Sequence, residues 1–483
     1  MIGINFVIEF FLYLTLAFGL IAPITGVSNK ESIWPLVISA ISIGTFFIVA
    51  ILTLYASLSH YLVFYNGLVI QDSFTSVILL GISITSIIFL VAVGNIGARW
   101  RSSPAMYSLI PLTLFGLFFL TGSNDALMLL ASWLIVSLVS YIFVSIPDAK
   151  ESKQAAIRYV MVGMIATLIL IAWIAFLAIT PKHAPMEFSF SSLLPLTKGS
   201  IRIASMAVLL FLAALGFKVG LFPFHWWLPQ VYGRGDGRGI SFVAGVIKLG
   251  FIAIIARTMV IFSYSIHGVD PISNYTAIIV AVFAVATMIY GNISALTTRN
   301  FQMILSYSSM AHTGYIFAAI AAAAYFAGID NPILLKLALF AVALQTIAYG
   351  IAKTPLFAFV GDSNKKLSDL QGMLSSHPVA AVSILILLLS LLGVPPFMGF
   401  WGKVYLFIST SGYSLWLVLI ALINSGISSV YYIIASREIV SKGKSNVKLS
   451  KTYTVALLIG AIVIIVLGIY SPFLLKSISS IYY

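Results

Sequence analysis

The chain has 483 residues, 61% hydrophobic and 8% charged, against roughly 45–50% and 25% in an ordinary soluble domain, so it reads as an integral membrane protein. It has no cysteine, which excludes disulfides, thiolate metal sites and cysteine nucleophiles. The formal charge of +13 is scattered through short loops without a basic patch or RNA-binding motif, so no nucleic-acid partner is expected.

Taken in chain order, the opening stretch "MIGINFVIEFFLYLTLAFGLIAP" lacks a basic n-region and a small-residue cleavage site, and reads as a first membrane span. A bilayer core about 30 Å thick needs roughly 20 apolar residues per helix, and about fourteen such runs follow one another. Their expected limits are 4–26, 33–58, 76–98, 105–122, 125–146, 155–180, 201–228, 240–264, 272–296, 302–327, 332–361, 378–409, 413–436 and 452–475. Short cytoplasmic loops are enriched in Lys and Arg. The odd-numbered loops hold about sixteen basic residues, from Lys30, Arg99 and Arg101 to Lys451; the even-numbered loops and termini hold about four, Lys182, Lys198, Arg202 and Lys476. Both termini are therefore expected on the outer side of a cell membrane.

The remaining basic residues, Lys218, Lys248, Arg257, Lys336, Lys353 and Lys403, fall inside spans. Arg257 and Lys336 lie near enough to helix ends to snorkel. A lysine at mid-bilayer costs about 2.5–3.5 kcal/mol even on the gentlest scale, so the other four are expected to face the bundle interior or a hydrated cavity. The plainer alternative for each is an interior lysine held by backbone carbonyls.

Spans seven and twelve contain "FKVGLFPFHWWLP" and "LLGVPPFMGFWGKVYLF", each joining proline and glycine to a lysine. Proline removes a backbone donor and clashes with the carbonyl four residues back, so Pro223 and the pair Pro395 and Pro396 are expected to break their helices. Two interrupted spans five apart are the mark of an inverted repeat. The expected fold is an all-α polytopic membrane protein: a three-helix segment 1–104, a first five-helix repeat 105–264, a second 270–437 and a last helix within 450–483. Lys218 and Lys403 then become near-equivalent, one per half, with Lys248 between them. A lysine in such a pocket can take up and release a proton on a useful cycle. His225 lies beside the first break, as a relay member or as an interfacial histidine satisfied by backbone. His312, in "SYSSMAHTGY", lies among hydroxyl residues that either hold water or glue helices together.

"GFKVGLFPFHWWLPQVY", "AGVIKLG", "NISALTTRNFQMILSYSSMAHTGYIF" and "GVPPFMGFWGKVYLF" resemble, in order and spacing, the antiporter-like membrane subunits of respiratory complex I. The same family includes the large subunits of Mrp-type sodium/proton antiporters and the membrane arms of energy-converting hydrogenases. The resemblance covers roughly residues 70 to 440. "PFHWWLPQVY" and "GFWGKVYLF" look most like the N-type subunit, whereas "YGIAKTPLFAFVGD" looks like Mrp and hydrogenase-type members. It implies a mid-membrane proton path with Lys218 as central lysine of the first half-channel, Lys248 as bridging lysine and Lys403 as terminal lysine. Lys353 matches an additional lysine of the Mrp-like pattern, and His225 a histidine beside the first break.

Two departures stand out. Family members place a glutamate on span five that pairs with the central lysine; here "SWLIVSLVSY" keeps Trp133 and puts Leu134 where the acid should be. The usual histidine four residues before Lys353 is replaced by Tyr349. An acid from a neighbouring subunit, or desolvation alone, would then have to serve the channel; a degenerate, non-pumping spacer is a third reading. The leading expectation is a proton-translocating subunit of a complex I-like assembly, with other membrane subunits, lipid and protons as partners. Redox chemistry is placed on other chains, and no cofactor, metal or catalytic site on this one. The alternative is a subunit of an Mrp-type cation/proton antiporter. "GRGDGRG" (233–239) lacks the lysine and hydroxyl residue of a phosphate loop and reads as a flexible cytoplasmic turn.

Overall fold

The computed structural model describes residues 2–27, 33–97, 103–147, 149–179, 189–190, 201–265, 272–361, 366–443, 445, 447, 449–478 and 480–482. Of the charges used above for orientation, Lys30, Arg99, Arg101, Lys182, Lys198, Lys365, Lys444 and Lys448 lie outside them, as does the expected domain junction near 270.

Helices follow the apolar runs closely, because within hydrocarbon every backbone N–H and C=O has to be satisfied inside the segment. They are α1 Ile2–Val27, α2 Trp34–Ser57, α3 Ser73–Gly97, α4 Ser103–Gly122, α5 Ala126–Ser145 and α6 Lys150–Ile179. Next come α7a Ile201–Val219, α7b Trp227–Tyr232 and α8, which runs as Gly237–Phe242, a π turn Val243–Ile247 and Lys248–Ser265. The rest are α9 Ile272–Leu296, α10 Phe301–Gly328, α11 Pro332–Val360, α12a Pro378–Leu392, α12b Met398–Ser411, α13 Leu415–Val440 and α14 Lys451–Tyr470. Among the described residues, 11 helices are long and apolar enough to cross a membrane, and Met106–Gly122, Ser205–Val219 and Pro378–Leu392 are shorter apolar ones. Starts are set by ordinary chemistry. Asp125 caps α5 by accepting from the amides of Leu127 and Met128, Asn300 caps α10 through Met303, and Asn331 with Pro332 opens α11.

Burial sorts the helices into a centre and a rim. The apolar stretches of α8 and α10 are 100% and 94% buried, against 28% for α1 and 33% for α14, so α8 and α10 are the axis on which the rest packs. Small residues let backbones approach. A Cβ on Gly291 of α9 would stand 2.6 Å from the Ala311 nitrogen of α10, and one on Gly245 in the π turn would stand 1.8 Å from the Thr354 hydroxyl of α11.

One small element accompanies the helices, and two expectations need correction. Among the described residues the all-α architecture carries one short antiparallel hairpin, Leu62–Phe64 paired with Val69–Gln71, turned at Tyr65, Asn66 and Gly67, all with positive φ. Arg257 does not snorkel: it is 2% exposed, and its Nη1 donates to the carbonyls of Ile70 and, at 3.4 Å, Thr121, beneath the Tyr482 ring. The backbone oxygens of the hairpin and of the end of α4 take the place of water. The "GRGDGRG" turn is fastened rather than flexible. Asp236 is buried, pairs with Arg238 and caps α8, while the Gly237 amide donates to Gly361 O at 2.7 Å and Gln302 Nε2 to Gly235 O at 2.6 Å.

Candidate functional site

Both interrupted segments break where a glycine turns the chain and a proline follows three residues later. In the first, Gly220 has φ +76°, and its amide and that of Leu221 both donate to Gly216 O, at 2.9 and 2.8 Å. Phe222 N then donates to Thr287 Oγ1 of α9 at 3.0 Å. In the second, Gly393 has φ +91°, and its amide and that of Val394 donate to Leu389 O. The bonds Phe222–Pro223 and Pro395–Pro396 are cis. Backbone freed from helical pairing is thus met by protein groups, as its depth requires.

These turns set a register between the two interrupted segments: "GLFPFHWWLPQVY" from Gly220 and "GVPPFMGFWGKVY" from Gly393, glycine on glycine, Pro223 on Pro396 and Tyr232 on Tyr405. Under it Lys403 falls opposite Gln230, and Lys218 opposite Leu391. The two lysines are therefore not matching positions: one precedes its break and the other follows it.

Lys218, in the last turn of α7a, is 4% exposed. Its Nζ donates to Ser140 Oγ of α5 at 3.2 Å and is otherwise surrounded by rings. The centroids of Tyr141, Tyr159, Phe251 and Trp133 lie at 4.5, 4.8, 5.3 and 5.9 Å. Such a cage presents the negative faces of π systems to a cation. Trp133 is fixed by its indole N–H donating to Thr167 Oγ1 at 2.9 Å, and Tyr159 by stacking on Trp227 at 4.9 Å. Leu134, the span-five position expected to carry an acid, is 48% exposed on the outer face of α5, so a carboxylate there would face whatever packs against the chain.

Lys248, Lys353, His312 and Lys403 form a second group. The π turn sets Lys248 at the start of the last part of α8, and its Nζ donates to Ser309 O of α10 at 3.2 Å. π turns inside helices recur at functional sites. Lys353 of α11 is wholly buried and donates to Leu305 O at 2.7 Å and to the Ser308 hydroxyl. Tyr349 stands between them, its ring 5.2 Å from the Lys248 Nζ and 6.0 Å from that of Lys353. Lys403 of α12b donates to Leu392 O at 2.7 Å, the last carbonyl of α12a, and to Ser425 Oγ of α13 at 2.9 Å. His312 lies within electrostatic range of all three lysines and is held at both nitrogens, by Gln345 Nε2 at 3.0 Å and the Tyr432 hydroxyl at 3.1 Å. Since the Gln345 amide donates to Nδ1, Nε2 carries the proton given to Tyr432.

His225 stands apart from the lysines. Its ring packs against Phe222 at 5.1 Å and Tyr290 of α9 at 4.0 Å, and these contacts do not reach Lys218. No residue of the two groups has a carboxylate in ion-pair range among the described residues; nor do these residues hold a group of three or more His, Asp or Glu able to bind a metal.

Several members escaped the sequence reading: Gln345 and Tyr432, which hold His312, and a chain of polar contacts in which Asn292 Nδ2 donates to the Tyr315 hydroxyl at 2.9 Å and Tyr431 donates to Asn292 Oδ1 at 3.0 Å. Tyr315 in turn lies 5.2 Å beneath the Lys403 Nζ. Between the two lysine groups, Tyr232 is within electrostatic range of both Tyr159 and Tyr349. A run of "SYSS" or "VYY" marks polarity, but no spacing rule says which helix it meets.

Eleven candidate spans, two interrupted helices and buried lysines define a multi-pass membrane protein of transporter type. The model for the family described as NADH:quinone oxidoreductase/Mrp antiporter, TM matches residues 123–428, and the chain belongs to that family. It is similar to NADH-quinone oxidoreductase subunit N 2 of Solidesulfovibrio magneticus, 31% identical over 71% of this chain and 70% of that protein. Its fold matches a chain of the Mrp complex from Dietzia sp., with TM-score 0.83 and 19% identity over 97% of this chain and 96% of that one. It also matches a chain of respiratory complex I from Thermus thermophilus, with TM-score 0.75 and 21% identity over 96% and 98%.

Proposed function

We propose that this chain is a proton-translocating, antiporter-like subunit of a complex I-like assembly in the cell membrane. Protons move along the buried lysines and the water and hydroxyl groups between them. The observation that carries the reading is the placement of Lys218, Lys248, Lys353 and Lys403: each at most 4% exposed, each bonded to neutral oxygens, and distributed across both interrupted halves. In this reading Lys218 loads the first half, Tyr159, Tyr232 and Tyr349 bridge it to Lys248, and His312 passes the proton to Lys403. His225 has a place only as a group near the first break.

Residues 105–264 and 270–437 are read as inverted five-helix repeats, flanked by 1–104 and 450–483, with both termini outward. The shared register of the breaks supports this, and so does their docking: the first break packs on α9 through Thr287, the second on α14, five spans later, where Gly468 abuts Pro396. The Mrp-like alternative keeps the same relay but replaces redox partners by antiporter subunits. It is favoured only by Lys353.

The test is proton translocation in the assembled complex, measured separately from redox turnover. Lys218→Ala and Lys403→Ala should each lower translocation by roughly a hundredfold, the scale of losing one proton-transfer group, with electron transfer retained. Unchanged translocation in both would make the chain a spacer.

A further inference from the structure

The lysine relay leaves unused a second polar feature, at the end of the bundle that the charge asymmetry assigns to the cytoplasm. A cavity of about 440 Å³ opens where three separate parts of the chain meet: the turn between α9 and α10, the turn after α11 and the end of α13. Arg299, Lys366 and Arg437 line it, one from each part. The parts are tied together: Leu367 N donates to Arg299 O at 3.0 Å, and Gly372 N to Ser441 O at 3.1 Å. Two carboxylates stand nearby, and both are already engaged. Glu438, on the cavity wall, accepts from Gln371 Nε2 at 2.7 Å, and Asp369 accepts from the Lys366 amide at 2.7 Å. Neither is in ion-pair range of the three cations among the described residues. Three positive charges thus converge on a concavity whose wall carries one carboxylate, Glu438, outside ion-pair range of each of them, which leaves the lining net positive.

Beneath the cavity the surface becomes apolar. Helices α9 and α13 are joined by Asn292 Nδ2 donating to Asn424 O at 3.1 Å. On their outer faces Ile293 and Leu296 lead up to Arg299, and Val430 and Ile433 lead up to Arg437, all four well exposed at 41–56%. Cationic head and apolar wall are stacked along the helix axis within about two turns, at 5.4 Å per turn.

We propose that this cavity binds the phosphate headgroup of an anionic phospholipid, whose acyl chains lie along the exposed faces of α9 and α13. Free phosphate shares the headgroup chemistry, but it makes no use of the apolar wall. Basic pockets between transmembrane helices at the cytoplasmic side suit phosphodiesters, because each Lys or Arg adds a favourable Coulomb contribution in the interfacial region. Guanidinium groups add bidentate hydrogen bonds to phosphate oxygens.

The experiment uses the full chain purified in its complex, delipidated in neutral detergent, and native mass spectrometry with phosphatidylglycerol, phosphatidylcholine or inorganic phosphate added. Wild type should retain phosphatidylglycerol in preference to phosphatidylcholine. The triple variant Arg299→Gln, Lys366→Gln, Arg437→Gln should retain it on the order of a hundredfold more weakly. Glu438→Gln, which keeps an acceptor for Gln371 but removes the repelling charge, should retain it more strongly; this opposite sign separates loss of the site from loss of the fold. Equal retention by wild type and the triple variant would overturn the proposal. So would displacement of the lipid by inorganic phosphate at equal concentration, which would reassign the cavity to a free anion, or loss of a partner chain rather than lipid in the triple variant.

Discussion

Lys218 and Lys403 are both buried ammonium groups beside an interrupted helix, yet they are accommodated by opposite means. Around Lys218 the polar supply is one serine hydroxyl, and the rest is the faces of four rings. Around Lys403 it is the carbonyl released by the break itself, a second serine and a network reaching Tyr315, Asn292 and Tyr431. The first lysine is tolerated by a soft, non-directional field that would also suit an apolar side chain, whereas the second completes hydrogen bonding that the backbone needs. Neither region has a carboxylate in ion-pair range among the described residues, and in the first it is Ser140 and the four rings that face the Lys218 nitrogen.

The breaks themselves differ in how tightly they are sealed, and this gives the largest expected effect. A Cβ on Gly468 of α14 would stand 2.3 Å from Pro396 O and 2.7 Å from Met398 N, both rigid backbone atoms. A Cβ on Gly216 at the first break would meet side-chain atoms alone, the edge of the Phe224 ring at 3.0 Å and the Leu221 Cβ at 3.3 Å. Gly468→Ala should therefore cost about 2–3 kcal/mol and Gly216→Ala about 1 or less, read as thermal unfolding in detergent. Equal losses would mean that the two breaks are equally rigid and would remove half of the comparison.

Replacing each lysine by methionine sharpens the other half. Lys403→Met strands Leu392 O, for about 1–3 kcal/mol. Lys218→Met leaves Ser140 still donating to Ser137 O and adds a thioether to an aromatic pocket, so its stability should stay within about 1 kcal/mol of wild type or rise. Urea or thermal denaturation of the purified chain measures both. A larger loss at Lys218 than at Lys403 would break the contrast.

Much of this molecule could be read before its coordinates. Spans were legible because apolar length is dictated by bilayer thickness, and the lysines because a charge in such a run has no cheap explanation. What could not be read is who meets whom. Lys218 is caged by residues of α5, α6 and α8, and His312 is held by Tyr432, 120 positions away; such pairings follow from helix rotation and crossing, which composition does not encode. The outward aspect of Leu134 was hidden for the same reason. The Tyr65–Gly67 hairpin has a local signal, since Asn-Gly between apolar residues favours a tight turn, but its strands are too short for alternation to mark them.

The smallest effect asks whether rings or hydroxyls matter. Tyr432→Phe deletes the acceptor of the His312 Nε2 proton and leaves a buried donor unmet, which should cost about 1–2 kcal/mol. Tyr159→Phe keeps the ring whose centroid lies 4.8 Å from the Lys218 Nζ, and the field that holds the ammonium is a property of the ring face. It should change stability by about 0.5 kcal/mol or less, and in the assembled complex it should leave Lys218 in place while testing whether the Tyr159 hydroxyl carries protons toward Tyr232. A loss at Tyr159 exceeding that at Tyr432 would show that the first lysine depends on directional bonds after all, and that both regions work by the same chemistry.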